Sequence, residues 1–116
     1  MSWQCGDVVF AALPASSPHG HEQKGGRPAI VVAGGPSLAA SNFLIVVPFT
    51  TSVSATRFPF TFEVKASTQN GLDRDSIALT FQIRAIDRSR IGRTLGRLSD
   101  SALDTLKNQL RGLLGV

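Results

Sequence analysis

The sequence predicts a mainly β fold, a small barrel of short strands followed by one C-terminal helix. Three observations carry this. Short runs rich in Val, Ile and Phe recur along the chain, each bounded by Pro, Gly, Asn or Ser. In several of them apolar residues alternate with smaller or polar ones. Residues 99–116 change pattern and repeat leucine at helical spacing.

Taken in order, Asp7 to Leu13 is the first strand, with Val8, Val9 and Phe10 at its centre and Pro14 ending it. Residues 15–26 form a loop rich in Ser, Gly and His. Pro28 to Ala33 is the second strand, and its run Ala29-Ile30-Val31-Val32 suits burial on both faces. After the turn Gly34-Gly35-Pro36, Phe43 to Val47 is a β-branched third strand that Pro48 should stop. Thr50 to Thr56 is polar. Phe58 to Val64 follows, its Phe58, Phe60 and Phe62 expected on one face. Asn70-Gly71 marks a turn, Ser76 to Ile86 reads as one alternating segment, and Arg93 to Leu98 adds a last short strand. Ser99 caps the helix, and Asp100 opposes its dipole. Leu103, Leu106, Leu110, Leu113 and Leu114 form its apolar stripe, for packing on the barrel or for a dimer contact, and Gly115 stops it.

The 116 residues fit a single domain, 1–116. A chain this short buries a limited core, and dimerisation is one way to enlarge it. The formal net charge of +4 favours a polyanionic partner. Its distribution says more: Arg74, Arg84, Arg88, Arg90, Arg93 and Arg97 crowd one stretch, opposed by Asp75 and Asp87. That stretch is either a phosphate-binding face or a solvated basic one. The single cysteine, Cys5, allows no internal disulfide and no thiolate metal cluster, so a reducing cytoplasmic setting fits. The first residues lack a secretory pattern, and the apolar runs are too short to span a bilayer. Trp3 suits packing at the terminus.

Two loops place polar side chains at the ends of rigid strands, where sites are commonly built. One is Gly20-His21-Glu22-Gln23-Lys24-Gly25-Gly26-Arg27-Pro28. The other is Val47-Pro48-Phe49-Thr50-Thr51-Ser52.

Together with Gly6-Asp7-Val8-Val9, Leu72-Asp73-Arg74-Asp75-Ser76 and Gln82-Ile83-Arg84-Ala85-Ile86-Asp87, and in this order, these segments resemble the MazF/PemK family of toxin endoribonucleases, or mRNA interferases. The resemblance implies an SH3-like barrel, a homodimer, and sequence-selective cleavage of single-stranded RNA with neither metal nor cofactor, leading to growth arrest. It also implies a MazE-like antitoxin whose acidic, poorly ordered tail covers the RNA groove. By position it assigns catalysis to Arg27 and Thr50. His21 is the third catalytic candidate. Glu22, Gln23, Lys24, Thr51, Ser52, Gln82 and Arg84 are the substrate-binding candidates.

Chemistry supports the first two. RNA cleavage without a metal uses the 2′-hydroxyl as nucleophile and passes through a phosphorane with extra negative charge. A guanidinium fits the non-bridging oxygens, and a threonine hydroxyl adds a neutral donor. The base is open. Arginine is a poor proton acceptor. His21 is the natural candidate because an imidazole as a group type titrates near neutral pH, Glu22 is adjacent, and orientation with charge alone is a third route. Some relatives carry an acid where this chain has Phe81, so a mechanism needing that carboxylate does not transfer. Arg84 either meets phosphate or pairs with Asp87. Two other functions stay open: a non-catalytic toxin of the same barrel, resembling the gyrase-poisoning CcdB group, and a nucleic-acid-binding barrel without activity.

Overall fold

The computed structural model describes residues 3–13, 26–33, 38 and 40–116. Among these residues are seven strands and one α-helix: β1 (Asp7–Ala11), β2 (Arg27–Ala33), β3 (Phe43–Thr50), β4 (Thr61–Val64), β5 (Ser76–Leu79), β6 (Arg84–Asp87), β7 (Ile91–Arg97) and α1 (Asp100–Leu114). All pairings are antiparallel, in the order β4-β5-β3-β2-β1-β7, with β6 also on β3.

The two ends of this strand path meet. Arg97 N–H donates to Gln69 O at 2.8 Å, which ties β7 to the segment that follows β4. That closure needs bare backbone. A Cβ on Gly96 would stand 2.3 Å from Gln69 O, and one on Gly71 would stand 2.1 Å from Leu95 O.

The closed sheet buries residues on both faces. Val8, Ile30, Val47 and Phe49 enter one cluster with Leu98, Leu106 and Leu110. Val9, Ala29, Val31, Val46 and Ile86 enter the other. Ala29, Ile30 and Val31 are all fully buried, as expected of that run. Trp3 packs against the second cluster, and its indole N–H reaches Thr94 Oγ1 at 3.2 Å.

Three expected elements differ. Pro48 does not stop β3. It sits, fully buried, between the stretch of β3 paired with β6 (through Val46) and the stretch paired with β5 (from Phe49). A residue without an N–H fits such a gap in a ladder. The three phenylalanines do not share one face. Phe60 adopts φ 59°, and β4 starts only at Thr61. Phe60 then packs against Gly112 of α1, whereas Phe58 is exposed. Ser76 to Ile86 is two strands, because a 3₁₀ turn at Thr80–Gln82 carries the chain from β5 to β6.

The helix forms where its caps place it. Ser99 Oγ accepts from Ala102 N–H at 3.2 Å, and Gly115, at φ 74°, donates to Arg111 O at 2.8 Å. Gln109 Nε2 donates to Thr61 O, which holds α1 to β4. Leu106 and Leu110 are buried and Leu103 packs beside them. Leu114, the last residue of α1, is 55% exposed. Ser99→Ala should remove the cap and lower the urea-unfolding free energy by about 1 kcal/mol; an unchanged midpoint at unchanged slope would show that the bond does not hold the helix start.

Candidate active site

The site arises where two paired strands separate. In the β2–β3 ladder Ala29 lies opposite Pro48. Two residues further along each strand, on the same face as that pair, come Arg27 and Thr50. The ladder has ended by then. Arg27 stays paired with Ala11 of β1, while Thr50 pairs with Ile77 of β5. The fork opens a cavity of about 280 Å³ whose lining includes Arg27, Thr50 and Thr51.

Both key residues are partly exposed and both belong to strands, not to the loops beside them. Their backbones are therefore fixed by pairing. Thr50 is further oriented by Ser52, whose N–H donates to Thr50 Oγ1 at 3.2 Å. The hydroxyl uses a lone pair in that bond and keeps its own proton for a ligand. Ser52 Oγ shares a hydrogen bond with Ser54 Oγ at 2.9 Å.

The cavity also holds Asp73, Arg74, Ser76 and Arg93, over an apolar floor that includes Phe49, Leu72 and Leu95. Sequence reading did not single out these four polar residues as site residues. Signals for them existed: Arg74 and Arg93 belong to the arginine-rich stretch, and Asp73 and Ser76 to the Leu72–Ser76 motif.

Arg84 lies on β6 opposite Val46, outside the lining of the cavity. Burial, and then the positive charge of Arg27, press its guanidinium below the ordinary arginine range. Its Nε is buried with no hydrogen-bond partner among the described residues. The charge of Arg27 is thus felt at Arg84. Asp87 makes no ion pair with Arg84 among the described residues; its carboxylate accepts from Ser89 N–H at 2.8 Å.

Gln82 lies in the 3₁₀ turn and does not line the cavity. Phe81 points elsewhere, its ring 5.3 Å from that of Phe58. His21, Glu22, Gln23 and Lys24 lie outside the described residues.

The remaining arginines divide by role. Arg88 donates to Ser41 O and Leu38 O. Arg97 meets Asp7 at 2.6 Å and Cys5 O at 3.2 Å. These two brace the fold, whereas Arg27, Arg74 and Arg93 face the cavity. Burial pushes the Cys5 thiol up, so it stays protonated at neutral pH and is a poor nucleophile. Among the described residues no group of three or more His, Cys, Asp or Glu side chains is placed to hold a metal ion, and no helix is long and apolar enough to cross a membrane.

A model of the family described as PemK-like, MazF-like toxin of type II toxin-antitoxin system matches residues 4–114. The chain belongs to this family. Endoribonuclease MazF of Staphylococcus saprophyticus is 32% identical to this MazF-like toxin over 111 residues, 96% of this chain and 90% of that one. Endoribonuclease EndoA of Bacillus subtilis is 34% identical over 106 residues, 91% of this chain and 89% of that one. The crystal structure of MazF from Deinococcus radiodurans matches with a TM-score of 0.77 and 25% identity, covering 100% of the toxin chain and 99% of its own.

Proposed function

We propose that this MazF-like endoribonuclease cuts single-stranded RNA at short motifs without a metal, and that Arg27 and Thr50 grip the scissile phosphate. The observation that supports this is their shared place on one cavity wall, at the fork of β2 and β3. The 2′-hydroxyl oxygen attacks phosphorus, the bond to the 5′-oxygen breaks, that oxygen takes a proton from solvent, and the products are a 2′,3′-cyclic phosphate and a 5′-hydroxyl. Arg27 stabilises the charge that builds on the non-bridging oxygens. Thr50, with its proton unengaged, donates to one of them and helps hold the attack in line. His21 takes the proton from the 2′-hydroxyl, because imidazole titrates near neutral pH and no carboxylate stands at Phe81. Arg84 adds long-range positive charge behind Arg27. Glu22, Gln23, Lys24, Thr51, Ser52 and Gln82 contact the flanking nucleotides.

The whole chain works as a single toxin domain in the reducing cytoplasm, as a homodimer. Its antitoxin is MazE-like, and the acidic tail of that partner competes with RNA for the surface around Arg27, Arg74 and Arg93 by charge complementarity. The barrel readings without catalysis give no reason for a guanidinium and an oriented hydroxyl to share one cleft.

Purified protein incubated with a long RNA in EDTA should yield discrete fragments with 5′-hydroxyl ends. RNA that stays intact, or fragments with 5′-phosphates, would count against this chemistry.

A further inference from the structure

The cavity continues beyond Arg27 and Thr50 to a second group of side chains. Phe10 of β1 and Arg93 of β7 are cross-strand partners, and the Arg93 guanidinium lies 5.2 Å from the centroid of the Phe10 ring. Both line the cavity, with Leu72 and Phe49 beside them. Two planar groups are thus held together next to an apolar floor. Asp73, on the loop before β5, lines the same cavity.

Asp73 differs from its near neighbour Asp75. The carboxylate of Asp75 accepts from Ala66 N–H at 2.8 Å and lies 3.9 Å from Lys65. Asp73 has no hydrogen bond or ion pair among the described residues. Asp75 holds the loop, and Asp73, one of the residues that line the cavity, is left as an acceptor. The backbone presenting it is fixed, since Leu72 N–H donates to Asn70 Oδ1 at 3.0 Å and Gly71 lies against Leu95 O.

We propose that this part of the cavity is a nucleobase pocket for a guanine adjacent to the cleaved phosphate. The inference rests on the reading of Arg27 and Thr50 as the phosphate grip. The whole cavity, about 280 Å³, suits one base beside its phosphate and not a longer piece of chain. Unpaired bases stack on aromatic rings and on guanidinium planes, which Phe10 and Arg93 supply. The edge is read by Asp73. A carboxylate only accepts, and guanine offers two parallel donors, N1–H and the N2 amino group. Uracil offers one N–H flanked by two carbonyls that a carboxylate repels. The Phe10–Arg93 pair therefore binds a base, and Asp73 selects which base.

The test sequences the 5′ ends of fragments made from a long RNA by the wild-type protein, Asp73→Asn and Arg93→Ala. The wild type should show one position beside the cut where guanine is favoured over uracil by about tenfold or more. Asp73→Asn should bring that ratio close to one, and Arg93→Ala should slow cutting while keeping the same preference. A second measurement is independent of cleavage: amide NMR shifts on titration with guanosine and uridine 5′-monophosphates. Leu72, Asp73 and Arg93 should respond to the guanosine nucleotide, and less so in Asp73→Asn. A base profile unchanged by Asp73→Asn, or cavity amides that respond equally to both nucleotides, overturns the pocket. If the wild type cuts no RNA, the phosphate reading fails, and the titration alone still decides whether a base binds here.

Discussion

Replacing Arg27 by alanine should lower single-turnover cleavage of a good RNA substrate by about 10²–10³-fold, the effect of deleting one donor aimed at developing charge, about 2.7–4 kcal/mol. Arg27 sits where β2 leaves β3, and the cation Arg84 is lowered first by burial and then by the charge of Arg27. Nothing else among the described residues combines a paired backbone, partial exposure and a fork of donors at that rim. Arg27→Lys should recover only part of the loss, because a point charge cannot bridge two phosphate oxygens as the planar fork does. Thr50→Val should also slow the chemistry, with less effect on RNA binding than on rate. Binding by Arg27→Ala should weaken modestly and keep its salt dependence, since several other cations face the strand. Wild-type cutting by Arg27→Ala would remove the proposed mechanism at its root.

What the sequence discloses and what it hides follow from whether the deciding interaction is local. The helix is readable because its cap at Ser99, its leucine period and its stop at Gly115 all lie within one continuous stretch. β2 is readable because an unbroken apolar run demands burial on both faces, wherever its partners come from. Pro48 misleads because its tolerance depends on β3 exchanging β6 for β5, and those strands come from more than twenty-five residues downstream. Phe60 misleads because period-two alternation assumes extended backbone, and its positive φ breaks that assumption. For the site, Arg27 and Thr50 are visible as polar residues at strand ends. Asp73 and Arg93 stand out in their own segments, but not as neighbours, because barrel closure brings them to the cavity from parts far apart in the chain. The crowd of arginines looks like one basic face in sequence, yet Arg88 and Arg97 are engaged by backbone carbonyls and by Asp7.

Gly26→Ala should both destabilise the protein and impair cleavage beyond the loss of folded molecules. Gly26 has φ 88°, and a Cβ there would stand 2.1 Å from Ala11 O, with Ala12 Cα only 2.9 Å away. The left-handed conformation alone costs an L-residue about 1–2 kcal/mol. Relieving the overlap with backbone adds a cost like that of overpacking, about 1–3 kcal/mol. Gly115 separates the two terms: it has φ 74°, with nothing within 4 Å of its would-be Cβ, so Gly115→Ala carries the conformational cost without the collision. Denaturant titrations should therefore rank Gly26→Ala as the more damaging variant. The activity readout should divide them more sharply. The atom that a new methyl meets belongs to Ala11, and Ala11 is the residue paired with Arg27. Moving β1 away shifts the guanidinium, and displacements on the order of 1 Å cost about 100-fold when geometry controls the rate. Gly115→Ala, at the far end of α1, should cut RNA at the wild-type rate per folded molecule. Equal stability and equal rates for the two variants would mean that the Ala11 carbonyl does not fix the start of β2, and that Arg27 is positioned by something other than the β1 edge.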